Sequence, residues 1–127
     1  MAEAVFDTDI LVDHLRAVRN ATELVYQVRS GRITGYISTI TEAELYAGKD
    51  QDDEKKNMLI AELLGLFEKV EVNSTIARSG GILKRVHGVA VTDALIAATA
   101  LSLGCKLLTR NVKDYEMIKG LALEKPY

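Results

Sequence analysis

Short apolar runs alternate with amphipathic stretches along the whole chain. Ala4-Val5-Phe6 is the first run, and Ile10, Leu11 and Leu15 then recur at helical spacing behind an opening Thr8-Asp9. Asn20-Ala21-Thr22-Glu23 has the form of a capping box for a helix carrying Ala21, Leu24, Val25 and Val28, which Ser30-Gly31 ends. Residues 33–38, rich in β-branched and aromatic side chains, read as a strand. Thr41-Glu42-Ala43-Glu44 starts a further helix closed by Gly48. Asp52-Asp53-Glu54 opens a longer one, its apolar side formed by Leu59, Leu63, Leu66 and Phe67, and acidic residues suit that positive helix end.

The second half repeats the alternation. Residues 70–72 read as a short strand, and Ser74 caps a helix running to about His87, weakened in the middle by Gly80-Gly81. Thr92 caps a helix over 93–103 that is apolar on nearly every side, as a buried central helix should be, and Gly104 stops it. Residues 106–109 form a strand, 114–118 a short helix, and 121–123 an edge strand before Pro126. Strands that alternate with helices predict a three-layer α/β/α fold with a mostly parallel sheet of four to five strands. The whole chain, 1–127, reads as one domain without internal repeats.

Composition narrows the class. Hydrophobic residues make up 48% and charged residues 27%, with a formal net charge of −2, so no basic surplus announces a nucleic-acid partner. No stretch has the length and apolarity of a membrane span, and the N-terminus lacks the basic start and apolar centre of a secretion signal. Cys105 is the only cysteine, which excludes an internal disulfide or thiolate zinc site. A cytoplasmic protein is expected.

The chemistry lies in the acids. Asp7 closes the first apolar run, Glu44 follows the second strand, Asp93 opens the buried helix, and Asn111 with Asp114 follows the strand at 106–109. Ligands of open α/β sheets bind beyond the carboxyl ends of the strands, and carboxylates gathered there require a cation among them. Helix ends offer a plainer reading for most of these residues. Glu44, three residues after Thr41, fits a capping box; Asp93 suits a helix dipole; Asp114 could cap the last helix. Asp9 and Asp13, one turn apart, read as a solvated pair, while Asp7 has no local cap to make. Their joint placement is what carries the functional reading. Neither His14 nor His87 has an evident nucleophile beside it, and no glycine-rich phosphate loop is present.

At these residues the chain resembles the PIN-domain family, and within it the VapC-type toxin ribonucleases. The resemblance rests on Val5-Phe6-Asp7-Thr8-Asp9, on Ile37-Ser38-Thr39-Ile40-Thr41-Glu42-Ala43-Glu44-Leu45-Tyr46-Ala47-Gly48, on Thr92-Asp93-Ala94-Leu95-Ile96-Ala97-Ala98-Thr99-Ala100, and on Leu107-Leu108-Thr109-Arg110-Asn111-Val112-Lys113-Asp114-Tyr115. Each block alone is weak; the four in order span nearly the whole chain.

The resemblance implies a Mg²⁺- or Mn²⁺-dependent endoribonuclease, the toxin of a toxin–antitoxin pair. It assigns Asp7, Glu44 and Asp93 to the catalytic metal site, with Asn111 or Asp114 as the fourth position. Thr8 and Thr109 would orient water or the acids. Arg110, Lys113, Lys84 and Arg85 are candidate contacts to the RNA backbone, with solvated helix surface as their plainer reading. A small cognate antitoxin and a homodimer are also implied. Three other readings stay open: a haloacid-dehalogenase-type phosphatase, suggested by Asp7-Thr8-Asp9; a receiver-like domain; and a catalytically inactive PIN-type binding domain, which the Asn111 departure allows.

Overall fold

Burial in the first strand decides the layering. Ala4, Val5 and Phe6 are all at most 1% exposed, and successive strand side chains point to opposite faces, so the sheet around them must be covered on both sides. The computed structural model describes residues 2–48 and 53–127. Within them the order is β1 (Ala2–Phe6), α1 (Thr8–Leu15), α2 (Arg19–Arg29), β2 (Ile33–Ser38), α3 (Thr39–Tyr46), α4 (Glu54–Leu64), β3 (Glu68–Val70), α5 (Ser74–His87), α6 (Val91–Leu103), β4 (Lys106–Leu108), a 3₁₀ turn (Val112–Asp114) and β5 (Leu123–Glu124).

The five strands form one sheet in the order β3-β2-β1-β4-β5, and every neighbouring pair is parallel. Ala4, Phe6, Ile37 and Leu108 face a core completed by Ile10, Leu11, Val25, Ile60 and Leu64 of the first helical layer and by Phe67 just before β3. Val5 and Leu107 face a second core with Ile96, Ala97 and Ala100 of α6 and with Tyr115 and Ile118. Phe6 and Phe67 meet edge to face, ring centroids 5.0 Å apart. This is the three-layer parallel architecture that the alternation predicts.

The chain builds outward from β1 to β2 and β3, then returns to place β4 on the other side of β1. The reversal creates a crevice beyond the carboxyl ends of β1 and β4, where α/β folds bind ligands. Asp7 and Thr109 stand directly after those two strands.

Several boundaries differ from the sequence-based expectation. Asp7 does cap a helix: its Oδ1 accepts from the Thr8 amide at 2.8 Å. Val18 precedes α2 without a side-chain cap, so the box expected at Asn20 is absent. Ser38, not Thr41, caps α3, and Asn73, not Ser74, caps α5. Thr92 falls inside α6, which starts at Val91. Asp53 caps α4, whereas Asp52 lies outside the described residues. Leu59, expected on the apolar side of α4, is 49% exposed; Leu63 and Phe67 are buried as expected, and Ile60 and Leu64 join them. β3 comes two residues earlier than expected, because its first residues, Glu68 and Lys69, are exposed on an edge strand and leave no apolar signal. The helix expected over 114–118 is instead a 3₁₀ turn at Val112–Asp114.

Gly80 and Gly81 separate in meaning. A Cβ on Gly80 would lie 2.6 Å from Leu95 Cδ2 and 3.3 Å from Leu95 Cα, so this glycine lets α5 seat against α6. Gly81 is exposed, with nothing within 4 Å of a Cβ.

Candidate active site

The acids at the strand ends are joined through hydroxyl groups. Asp7 is 4% exposed and receives three hydrogen bonds. The Thr8 amide donates to Oδ1 at 2.8 Å, the Thr109 hydroxyl to Oδ2 at 2.8 Å, and the Tyr115 phenol to Oδ2 at 3.0 Å. The same phenol lies 3.3 Å from Asp93 Oδ1, which links the end of β1 to the first turn of α6. Glu44, on α3, accepts from the Thr8 hydroxyl at 2.6 Å. Thr8 thereby spends its one proton, so the Thr41 hydroxyl, 2.9 Å away, donates to it. Thr41 is fully buried and serves this chain rather than a capping box.

Around this centre the acids resist ionisation. Burial, and then the neighbouring charge of Asp9, push Asp7 from 3.8 up to about 7, against the pull of its three donors. Asp93 is raised by burial and by the charge of Asp114, with the Tyr115 hydrogen bond pulling the other way. Burial raises Asp9 too, although the Arg110 amide donates to its Oδ2 at 2.9 Å. Among the described residues its buried Oδ1 has no hydrogen-bond partner. Burial and both neighbouring aspartates drive the Tyr115 phenol far above its ordinary value, so it stays protonated.

Asp13, expected to be solvated, is 7% exposed. Arg110 grips it through Nε at 2.6 Å and Nη2 at 3.2 Å, and the Tyr127 hydroxyl donates to it at 2.6 Å. The guanidinium expected to meet RNA phosphate is therefore engaged with a carboxylate. Asn111 is exposed, and its backbone N–H donates to Thr109 Oγ1 at 3.0 Å. Asp114 is exposed in the 3₁₀ turn, near enough for its charge to act on Asp93. Lys113 lies exposed beside it, Lys84 turns back onto the Val89 carbonyl at 3.4 Å, and Arg85 is exposed on α5.

The structure thus links Asp7, Asp93, Glu44, Thr8 and Thr109 into one network, with Asp114 beside it. Sequence reasoning passed over Asp9, Asp13 and Tyr115. Asp9 had left a signal in Asp7-Thr8-Asp9, and Tyr115 one as the aromatic next to Asp114.

Residues 4–118 match the profile of the PIN domain. The chain belongs to the PIN-domain family. It is similar to ribonuclease VapC19 of Mycobacterium tuberculosis, 34% identical over 131 residues that cover 97% of this chain and 98% of that protein. Ribonuclease VapC1 of Rickettsia felis is 34% identical over 98 residues, covering 68% of this chain and 72% of that one. Among solved structures, a toxin–antitoxin complex from Klebsiella pneumoniae contains a chain 30% identical, with a TM-score of 0.78 and 98% of each chain covered.

The donor set of this PIN site is carboxylate and amide oxygen, the hard chemistry that Mg²⁺ and Mn²⁺ favour. Among the described residues no three acidic, histidine or cysteine side chains close around a common point as a finished cage. An orphaned Asp9 oxygen and an Asp7 carboxyl that resists its charge also fit a pocket designed to receive a cation.

Proposed function

We propose that this PIN protein is a metal-dependent endoribonuclease and the toxin of a toxin–antitoxin pair. The observation that carries the reading is the hydroxyl-linked network of Asp7, Asp93 and Glu44 at the switch point of a parallel sheet. Support for the substrate and the pairing comes from full-length similarity to a ribonuclease and to a chain of a toxin–antitoxin complex.

Asp7, Glu44 and Asp93 are the residues that would hold Mg²⁺ or Mn²⁺, with Asp114 or Asn111 in the fourth place. When bound, the ion supplies activation of water and relief of phosphate charge. The chain's own groups do the rest. Thr8 steadies Glu44, while Thr109 and Tyr115 fix one side of Asp7. Asp114 is favoured over Asn111 for the fourth place because its charge already acts on Asp93. Lys113, Lys84 and Arg85 remain candidates to steer the RNA backbone, with a contribution that weakens as salt rises. Arg110 braces Asp13 and contributes to that surface second. The antitoxin is a small protein that masks the site, and the active form is a cytoplasmic homodimer.

Induced expression in a bacterial host tests this. Growth arrest with fragmentation of cellular RNA is expected, relieved by Asp93→Asn and by co-expression of a cognate antitoxin. Arrest that persists undiminished in Asp93→Asn would contradict the reading.

A further inference from the structure

Tyr115 is 1% exposed, yet its hydroxyl ends between two carboxylates that come from opposite parts of the chain. A phenol of this size reaches such a position only if the backbone after β4 carries it there. The 3₁₀ turn at Val112–Asp114 does so, and the ring is held in the second core with Val5, Ile96 and Leu107. A buried tyrosine needs one partner for its hydroxyl; this one has two, and both are acids.

Counting lone pairs shows what the contact does. A carboxylate oxygen offers about two acceptor positions. Oδ2 of Asp7 is filled by Thr109 and Tyr115, whereas among the described residues Oδ1 accepts only the Thr8 amide. The phenol has one proton, so it donates to one acid at a time: Asp7 Oδ2 at 3.0 Å is the nearer acceptor and Asp93 Oδ1 at 3.3 Å the alternative. Each acid therefore turns one oxygen to the phenol and has acceptor capacity left on the other. Restricting which oxygen is free fixes the rotation of both carboxylates about their side-chain bonds. It also limits their separation, because one oxygen atom of the phenol lies within 3.3 Å of both.

We propose that Tyr115 is a positioning residue of the site: its hydroxyl pins Asp7 and Asp93 so that their remaining oxygens are pre-set to receive a divalent cation. The inference rests on the cation-site reading above and adds to it a residue that never meets the ion or the RNA. Outer partners of this kind lower metal affinity when removed, because the ligands must then be ordered by the ion itself. Phenylalanine fills the same core volume and deletes only the hydroxyl.

The test is calorimetric titration of Mn²⁺ into wild type and Tyr115→Phe, with melting curves in EDTA for both and no RNA present. Expected is a cooperative melt for the variant and Mn²⁺ binding weaker by roughly ten- to a hundredfold. RNA cleavage by the variant should then recover as Mn²⁺ is raised, which a merely structural defect would not allow. Equal or tighter Mn²⁺ affinity in Tyr115→Phe overturns the positioning role while leaving the cation site standing. A wild-type protein that takes up no Mn²⁺ overturns the cation site itself, and the positioning role with it.

Discussion

The hydroxyl of Thr8 donates to Glu44 Oε1 at 2.6 Å, tying the first residue of α1 to the sixth residue of α3. A bond this short to a carboxylate is charge-assisted and sets where Glu44 rests. Thr8→Val keeps the shape and removes the donor. Cleavage at moderate Mn²⁺ should fall by roughly ten- to a hundredfold while the melting curve stays cooperative, as for other residues that orient metal ligands. Initial rates set beside thermal melts check this, and an unchanged rate would mean Glu44 holds its place without Thr8.

The pH dependence of metal-free stability follows from Asp7. Its pKa is raised from 3.8 to about 7, so between those values the folded protein keeps a proton that the unfolded chain has released. The stabilisation is complete below the lower value and is lost as pH rises through the upper one. In EDTA, wild type should lose on the order of 2 kcal/mol between about pH 5.5 and about pH 8 from this group. Asp9 and Asp93, also raised, add in the same direction. Asp7→Asn should flatten the profile, and urea melts across the range measure it. A wild-type profile that rises with pH would refute the assignment.

Arg110 sits 2.6 Å from Asp13 through Nε, and Asp13 is 7% exposed. Removing the guanidinium leaves Asp13 with the Tyr127 hydroxyl as its remaining described partner. Arg110→Ala should therefore cost about 1–3 kcal/mol of stability, read from the urea midpoint, with little change in KM for RNA. A normal midpoint with a raised KM would return Arg110 to the role of a phosphate contact.

The two glycines of α5 should respond in opposite directions. Gly81→Ala removes the entropic cost of an exposed helical glycine and should add about 0.5–1 kcal/mol. Gly80→Ala forces a methyl against Leu95, with its nearest atom 2.6 Å away, and should cost about 1–3 kcal/mol as an overpacked contact. Equal shifts in chemical denaturation would show that α5 and α6 have room to move apart.

Much of the architecture was legible because it is written in local patterns. The apolar runs at Ala4-Val5-Phe6 and Leu107-Leu108 mark strands, and the all-apolar stretch after Asp93 marks a buried helix. Asp7, Glu44 and Asp93 stood out because each follows or opens such an element. What stayed hidden depends on residues far apart. Tyr115 lies 108 positions from Asp7, and Tyr127 lies 114 from Asp13, separations that leave no periodic trace. Asp9 and Asp13 imitate a solvated helical pair until the chain after β4 folds over them. Caps at Ser38 and Asn73 were displaced because Ser, Thr and Asn neighbours compete for the same amides.

The most direct measurement is cleavage of a defined RNA by purified protein in EDTA, Mg²⁺ and Mn²⁺, comparing wild type with Asp7→Asn, Glu44→Gln and Asp93→Asn. Wild type should cut only with a divalent ion, and each substitution should reduce the rate by at least about a hundredfold, the scale of losing a group that acts on the reacting atoms. Cleavage that is equal in all four proteins, or that survives EDTA undiminished, would contradict a metal-dependent ribonuclease centred on these acids.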